Sequence, residues 1–319
     1  MPDPTPSSSA LNCQPSHDPS VVSVVVRTMG DREPELRRAL HSLAASDYEH
    51  VEAVLVVQAD DEQEDRWMRV QAICRDFARL KPKLLRNPVK IDRRAQNLNL
   101  GWEAASGRYI GFLDDDDTVS PRHVSELLAA IKRESRVWAY GRARLCREDE
   151  QLRLLSTSEP FRHGEFSLSA LWEENFIPIH SFLIDRDGLH EHLRRTPFCE
   201  QLTRSEDWDF LLRLAFHHEP ARVDLVTCDY YISSTQRNSN TSFAPQGSGP
   251  EHNQSQWRLS KQLVDERKAA LASLHWWARP IFHEAGISRA TSSERGPAVP
   301  APVLRRAIRY LIRRLERLL

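Results

Sequence analysis

The chain has no apolar run approaching the roughly 18 residues that a membrane-spanning helix needs. Residues 1–20 are rich in Pro and Ser and lack the apolar stretch of a secretory leader, so the expected location is the cytoplasm or the cytoplasmic face of a membrane. Cysteine is sparse. Cys13, Cys74, Cys146, Cys199 and Cys228 include no two at the spacing of a zinc or redox pair, and reduced thiols are expected. Net charge is nearly absent: 44 Lys and Arg stand against 45 Asp and Glu, a formal -1, which argues against a generic nucleic-acid binder. Only 11 glycines occur, and none are gathered after the first strand, where Arg27-Thr-Met-Gly-Asp31 disfavours a nucleotidyltransferase with a glycine-rich phosphate loop. No internal repeat is visible.

What is present is an alternation. With 319 residues the chain suits one large α/β domain with additions, or two domains. After a Pro/Ser-rich segment over 1–20, expected to be disordered, Val21–Val26 is a β-branched run. It reads as a strand buried on both faces of a parallel sheet. A helix is predicted from Glu33 with Pro34 in its first turn. A strand over Val51–Val57, a helix over Asp60–Leu80, a brief strand over Lys83–Arg86 and a helix over Ala95–Ala105 closed by Gly107 follow. Strand Tyr109–Leu113, a helix opened by Ser120-Pro121 and a strand over Val137–Leu145 complete a doubly wound, mostly parallel sheet. The second half is more mixed. A strand region is expected over Phe176–Ile184, a helix over Ser205–Phe216, a strand over Val223–Ile232, a long polar loop over Thr235–Gln256 and a helix to about Trp277. A Pro/Ala linker over Ala290–Pro302 then leads to a last helix, Val303–Leu319.

The central stretch is Arg108-Tyr-Ile-Gly-Phe-Leu-Asp-Asp-Asp-Asp117, an apolar strand running into four consecutive carboxylates. Oxygen ligands at a rigid strand end suit a hard divalent cation, which neutralises charge on a diphosphate. In open α/β sheets ligands bind beyond the carboxyl ends of the strands. Arg27-Thr28, Gln58–Asp60 and Asp114–Asp117 all fall at such ends. A calcium EF-hand does not fit, because Val119 stands where its glycine belongs and Ser125 where its bidentate Glu belongs.

Taken together, Arg94-Ala-Gln-Asn-Leu-Asn-Leu-Gly101, the run to Asp117 and Ser205-Glu-Asp-Trp-Asp209 resemble glycosyltransferase family 2. The opening Val-Ser-Val-Val-Val-Arg-Thr28 is similar to that family's first strand, and the resemblance covers about residues 21–235. It implies a GT-A fold, a Rossmann-like doubly wound sheet. The nucleotide half would be 21–117 and the acceptor half 118–235, with a loop and helical extension over 236–289 and a linker and basic helix over 290–319.

The resemblance also implies roles. Asp114 and Asp115 would lie near the nucleoside, and Asp116 would hold Mn²⁺ or Mg²⁺. Asp207 would be the base of a single inverting displacement, with Glu206 orienting the acceptor. The helix dipole alone would equally favour Glu206, Asp207 and Asp209 in a first turn. Thr28, Arg32 and Asp60 are nucleotide candidates by position. Gln58 stands where the family often has an Asp that reads the base, and could still meet a pyrimidine edge. Arg94 is either a partner of the diphosphate or the aspartates, or an exposed helix-start residue. Trp208 belongs either to the core or to an acceptor pocket. Asn99 and Gly101 read as structural, the glycine allowing helix and sheet to approach closely.

Many family members carry a histidine beyond the last strand as a further metal ligand. Tyr231–Asn238 contains none, leaving Ser234, Gln236 or water for that place. His180, His217 and His218 read as core or surface residues. The expected function is transfer of a sugar from a nucleotide-diphosphate donor, a UDP-sugar first, to an acceptor hydroxyl on a glycan or lipid-linked molecule. The expected setting is cell-surface polysaccharide or lipid-linked glycan synthesis. The alternative is a non-catalytic sugar-nucleotide or glycan-binding module, motivated by the missing histidine. Leu304, Ile308, Leu311, Ile312, Leu315 and Leu319 face away from Arg305, Arg306, Arg309, Arg313, Arg314 and Arg317. That amphipathic helix suits either an anionic membrane surface or a protein partner.

Overall fold

The computed structural model describes residues 17–161, 164–233 and 255–271. In the first half β1 (Asp18–Thr28), β2 (Val51–Gln58), β3 (Lys83–Asn87) and β4 (Gly107–Asp114) alternate with α1 (Glu33–Ala44), α2 (Glu64–Arg75) and α3 (Arg94–Ala104). All pairs among these four strands are parallel, in the order β3-β2-β1-β4. The second half adds β5 (Thr118–Val119), α4 (His123–Glu134), β6 (Trp138–Glu148), β7 (Leu154–Ser158), α5 (Leu168–Glu173) and β8 (Phe182–Asp185). It continues through α6 (Glu191–Arg195), α7 (Glu206–His217) and β9 (Ala221–Ser233). A helix over residues 255–271, here α8, is the last described element. The single sheet runs β3-β2-β1-β4-β8-β6-β9-β5, with β7 on β6. It turns antiparallel where β8 joins β4 and β6.

Strand alternation explains why helices cover both faces. Val24 and Val26 point into one apolar layer with Leu36, Leu40 and Ile73, and Val25, Val54 and Val56 into the other with Leu98, Phe112 and Phe210. The close approach expected at Gly101 is real: a Cβ there would stand 2.2 Å from Val25 Cγ1.

Several boundaries differ from expectation. The first strand begins at Asp18, inside the segment expected to be disordered. Gly107 does not cap α3; it opens β4, where a Cβ would stand 2.5 Å from the Val21 carbonyl oxygen. Ser120-Pro121 does not start α4. Ser120 N–H instead donates to Thr227 O (2.8 Å), and the helix opens at His123 with no side-chain cap. The helix foreseen over Asp60–Leu80 is divided, because Asp60 caps a short 3-10 turn, Asp61–Gln63, ahead of α2, and another turn, Ala78–Leu80, follows it. The strand region over Phe176–Ile184 contracts to β8, preceded by a 3-10 turn at Ile179–Ser181. β5, β7, α5 and α6 were not foreseen, being short. The expected loop over 235–254, the linker over 290–302 and the basic helix over 303–319 lie outside the described residues. Among the described residues no helix is long and apolar enough to cross a membrane.

Gly101→Ala is expected to destabilise the fold by about 1–3 kcal/mol, because Val25 is itself enclosed and cannot yield without strain. Urea denaturation of the two proteins checks this, and equal midpoints would contradict it.

Candidate active site

The site begins with strand register. Arg27 on β1 pairs in register with Asp114 on β4, so two side chains of opposite charge leave adjacent parallel strands at one level. Arg27 grips Asp114 in a fork, Nε to Oδ1 at 2.5 Å and Nη2 to Oδ2 at 3.0 Å. Its remaining nitrogen, Nη1, donates to Glu206 at the start of α7. Burial alone would raise the Asp114 carboxyl, but the Arg27 charge and hydrogen bonds outweigh it and hold the group down at about 2.

The other carboxylates fan out in the turn after β4. Asp115 is buried and accepts from Thr28 Oγ1 (2.6 Å) and Arg32 Nη2 (2.7 Å). Burial pushes it up to about 7 against the pull of Arg32. Asp116 accepts from Arg32 Nη1 (2.6 Å). Asp117 is fully buried, with Oδ1 held by the Tyr231 backbone N–H (2.8 Å), and burial pushes it up to about 6. One oxygen from each of Asp114, Asp116 and Asp117 lies within 4.8 Å of the other two. Asp117 Oδ2 has no hydrogen-bond partner among the described residues. Convergent hard oxygens with an unsatisfied buried acceptor fit one divalent cation of the Mg²⁺ or Mn²⁺ type.

A cleft open to solvent, with about 450 Å³ of empty space, lies beside this turn. Arg27, Thr28, Arg32, Gln58, Arg94 and Asp114–Asp116 line it, together with Met29, Asp92 and Asn97. Seven of the expected nucleotide and metal residues thus meet in one place. Gln58 is there, but its amide is occupied: Nε2 donates to Ile91 O (2.7 Å) and Val89 O (3.4 Å), and Oε1 accepts from Asn97 Nδ2 (2.9 Å) and Arg93 N (3.2 Å). It therefore ties down the 89–93 loop. Asp60 stands outside the lining and accepts from Glu62 N (3.0 Å) as a turn cap. Arg94 Nε donates to Asp92 Oδ2 (3.0 Å), which also accepts from Arg204 Nη1 (2.8 Å).

On the other side of Arg27, α7 opens at Ser205, which has φ 61° and makes no side-chain cap. Glu206 is 2% exposed and directed at Arg27. Asp207 is half-buried and accepts from Asn175 Nδ2 (3.0 Å). Burial first, and the neighbouring Glu206 charge second, push it up to about 6, with Arg27 pulling the other way. Asp207 does not line the cleft; Arg27 joins its helix to the acidic turn. Trp208 donates its indole N–H to Leu171 O (2.7 Å), and Lys268 Nζ lies 3.7 Å from its ring centroid. Asp209 is 1% exposed and accepts from Arg213 Nε (3.0 Å) and from Arg267 of α8, which seats α8 against α7.

Three residues near the site carried no assigned role in the sequence. Arg27 was visible only as the end of a strand, since the register that pairs it with Asp114 is a tertiary fact. Asp92 has no motif. His180, expected to be core or surface, is buried with Nδ1 3.0 Å from Asp117 Oδ2, next to the acidic turn. Burial opposes its protonation, and the Asp117 charge outweighs burial and raises its pKa. Ser234 and Gln236 lie outside the described residues.

A sheet of this order, with an acidic turn and cleft at its carboxyl edge, has the GT-A fold. The family model "Glycosyl transferase family 2" matches residues 23–193, and the chain belongs to that family. An uncharacterized glycosyltransferase of Methanocaldococcus jannaschii is 20% identical over 203 residues, 61% of this chain and 65% of the relative's length. Among solved structures, S. aureus TarS 1-349 in complex with UDP-GlcNAc superposes with TM-score 0.53 at 16% identity, over 84% of this chain and 76% of that one. GalNAc-T7 with UDP, GalNAc and Mn²⁺ gives 0.50 at 15% identity, over 82% and 50%. At these identities the likeness is one of fold.

Arg27→Met leaves Asp114 and Glu206 facing each other without a cation between them. The expected cost is about 3–5 kcal/mol, the range for removing one partner of a buried ion pair. Chemical denaturation measures it, and a loss below about 1 kcal/mol, the value of an exposed pair, would contradict the assignment.

Proposed function

We propose that the chain is an inverting, metal-dependent glycosyltransferase that moves a sugar, a hexose or related unit, from a nucleotide diphosphate to an acceptor hydroxyl. The observation that carries this reading is the joining of two charged sites by one arginine. A cation-fitting acidic turn lies on one side of Arg27, and a half-buried carboxyl of raised pKa lies on the other. In this reading residues 21–117 form the nucleotide half, 118–235 the acceptor half and 236–289 an extension. A UDP-sugar is the first donor to test, and a glycan or lipid-linked molecule the first acceptor.

Asp116, with Asp114 and Asp117, would hold Mn²⁺ or Mg²⁺, which when bound supplies charge neutralisation for the departing diphosphate. Arg32 and Arg94, on the cleft wall, give that diphosphate further positive charge. Thr28 and Asp115 shape the nucleoside end. Gln58 acts indirectly by holding the 89–93 loop, and Asp60 by capping the turn behind it. Asp207 takes the proton from the acceptor hydroxyl as it attacks the anomeric carbon. Asn175 aims the carboxylate. Glu206, by holding Arg27, fixes the start of α7, and Trp208 borders the acceptor side.

Activity should rise with pH through about 6 as Asp207 loses its proton, then level off. Asp207→Asn should lower the rate by roughly 100-fold or more and abolish that limb. Folding raises this pKa, so the stability it contributes is present in acid and lost as pH rises through about 6. Asp207→Asn should therefore melt higher than the parent at alkaline pH but not in acid. Transfer assays with Mn²⁺ over a pH series, beside Asp116→Ala, check this. Unchanged rates in both variants would sink the site assignment.

The basic segment 303–319 is proposed as a surface anchor to anionic lipid. Full-length protein should sediment with anionic liposomes and a 1–302 form should not; equal pelleting would rule the anchor out.

A further inference from the structure

We infer that His180 positions the cation-binding carboxylate Asp117, an inference that rests on the proposal that Asp114, Asp116 and Asp117 hold a divalent cation. Asp117 is fixed from two sides. Its backbone N–H closes the acidic turn onto Asp114 O (3.2 Å), and its Oδ1 accepts from Tyr231 N on β9 (2.8 Å). Oδ2 remains, buried and without a hydrogen-bond partner among the described residues. His180, 1% exposed, places its Nδ1 3.0 Å from that oxygen.

The ring is held independently of Asp117. It rides on the 3-10 turn Ile179–Ser181, where Ser181 Oγ donates to Pro178 O (2.7 Å), and it stacks on Tyr230 with centroids 5.8 Å apart and planes 13° from parallel. Yet the approach to Asp117 is one of distance and not of direction. Neither ring nitrogen has a hydrogen-bond partner among the described residues. Buried polar groups are paired in folded proteins almost without exception, and each unpaired one calls for an explanation. Here two such atoms, Asp117 Oδ2 and His180 Nδ1, lie 3.0 Å apart beside a carboxylate trio spaced for a cation, while the Cys228 thiol also faces the ring.

The geometry separates a ligand from a support. The oxygens that converge within 4.8 Å belong to Asp114, Asp116 and Asp117, and no His180 nitrogen joins them. His180 therefore stands behind the trio. Its role would be to turn an N–H onto Asp117 when the cation is bound and hold that carboxylate toward it, as outer-shell donors do for metal-bound carboxylates. This histidine comes from the turn before β8, within the chain order that leads to α7, and not from beyond the last strand.

The test is Mn²⁺ affinity of the full chain, read from the free Mn²⁺ signal in electron paramagnetic resonance, with no substrate and no turnover. His180→Phe keeps a flat ring for Tyr230 but removes the donor, and should weaken Mn²⁺ binding by about 10–100-fold. His180→Gln keeps an N–H and should recover part of that loss. Unfolding midpoints of the metal-free proteins show whether each variant is folded. Parent-like Mn²⁺ affinity in a folded His180→Phe would overturn the inference and leave the cation site standing. Failure of the parent itself to bind Mn²⁺ would overturn the cation site and this inference with it. Should His180→Phe not fold, the parent decides: Mg²⁺ should shift the His180 ring ¹⁵N resonances, and saturating Mg²⁺ that leaves them in place would overturn the inference.

Discussion

Arg27 carries one positive charge between two carboxylates from distant segments of the chain. Asp114 ends the strand beside it in the sheet, and Glu206 opens the helix whose apolar residues share a core layer with Val25 and Phe112 of that sheet. Both acids are largely desolvated, so each would be costly without its partner. A guanidinium suits this place because its rigid fork can hold one carboxylate with two nitrogens and still present a third. The consequence is mechanical as well as electrostatic. The start of α7, and Asp207 with it, is held at a set distance from the acidic turn, although the two sites are nearly 100 residues apart in sequence. The rest of the site is arranged around that strut.

The acidic turn shows how four adjacent carboxylates can coexist. Each has a different environment. Asp114 is held ionised by Arg27, Asp115 is buried against Thr28 and Arg32, Asp116 meets the second arm of Arg32, and Asp117 is enclosed by β9 and His180. The two arginines offset part of the repulsion, and burial raises Asp115 and Asp117 to about 7 and about 6. Such a site binds positive charge well, since a cation lets every carboxyl ionise without further repulsion. The same arginines face the cleft, where a diphosphate would present the opposite charge. α8 adds rigidity at a distance: Arg267 reaches Asp209 one turn into α7 and seats the helix that carries the proposed base.

Much of this was legible in the residues. The β-branched run at Val21–Val26, the apolar strand before the acids and the tight approach at Gly101 each follow from local pattern, because a period of two and a missing side chain leave clear marks. What was not legible depended on pairings between distant segments. Gly107 looks like a helix cap, yet it is a glycine because the Val21 carbonyl passes too close for a side chain. Ser120 looks like an N-cap, yet its N–H belongs to the neighbouring strand. Gln58 sits where a base-reading residue was expected, and the structure gives its side-chain amide to the 89–93 loop and to Asn97 of α3. His180 carries no motif; only the sheet brings the turn before β8 beside Asp117.

In the proposed mechanism the cleft would hold the cation and the nucleotide diphosphate, and Arg27 would link it to the Asp207 carboxylate on α7. The most direct measurement is a structure of the protein with Mn²⁺ and a nucleoside diphosphate bound. The metal is expected on Asp116 with Asp114 and Asp117, and the diphosphate between that metal and Arg32 and Arg94, with a clear path from there to the Asp207 carboxylate. Metal or nucleotide bound elsewhere, or Asp207 walled off from the diphosphate, would contradict it.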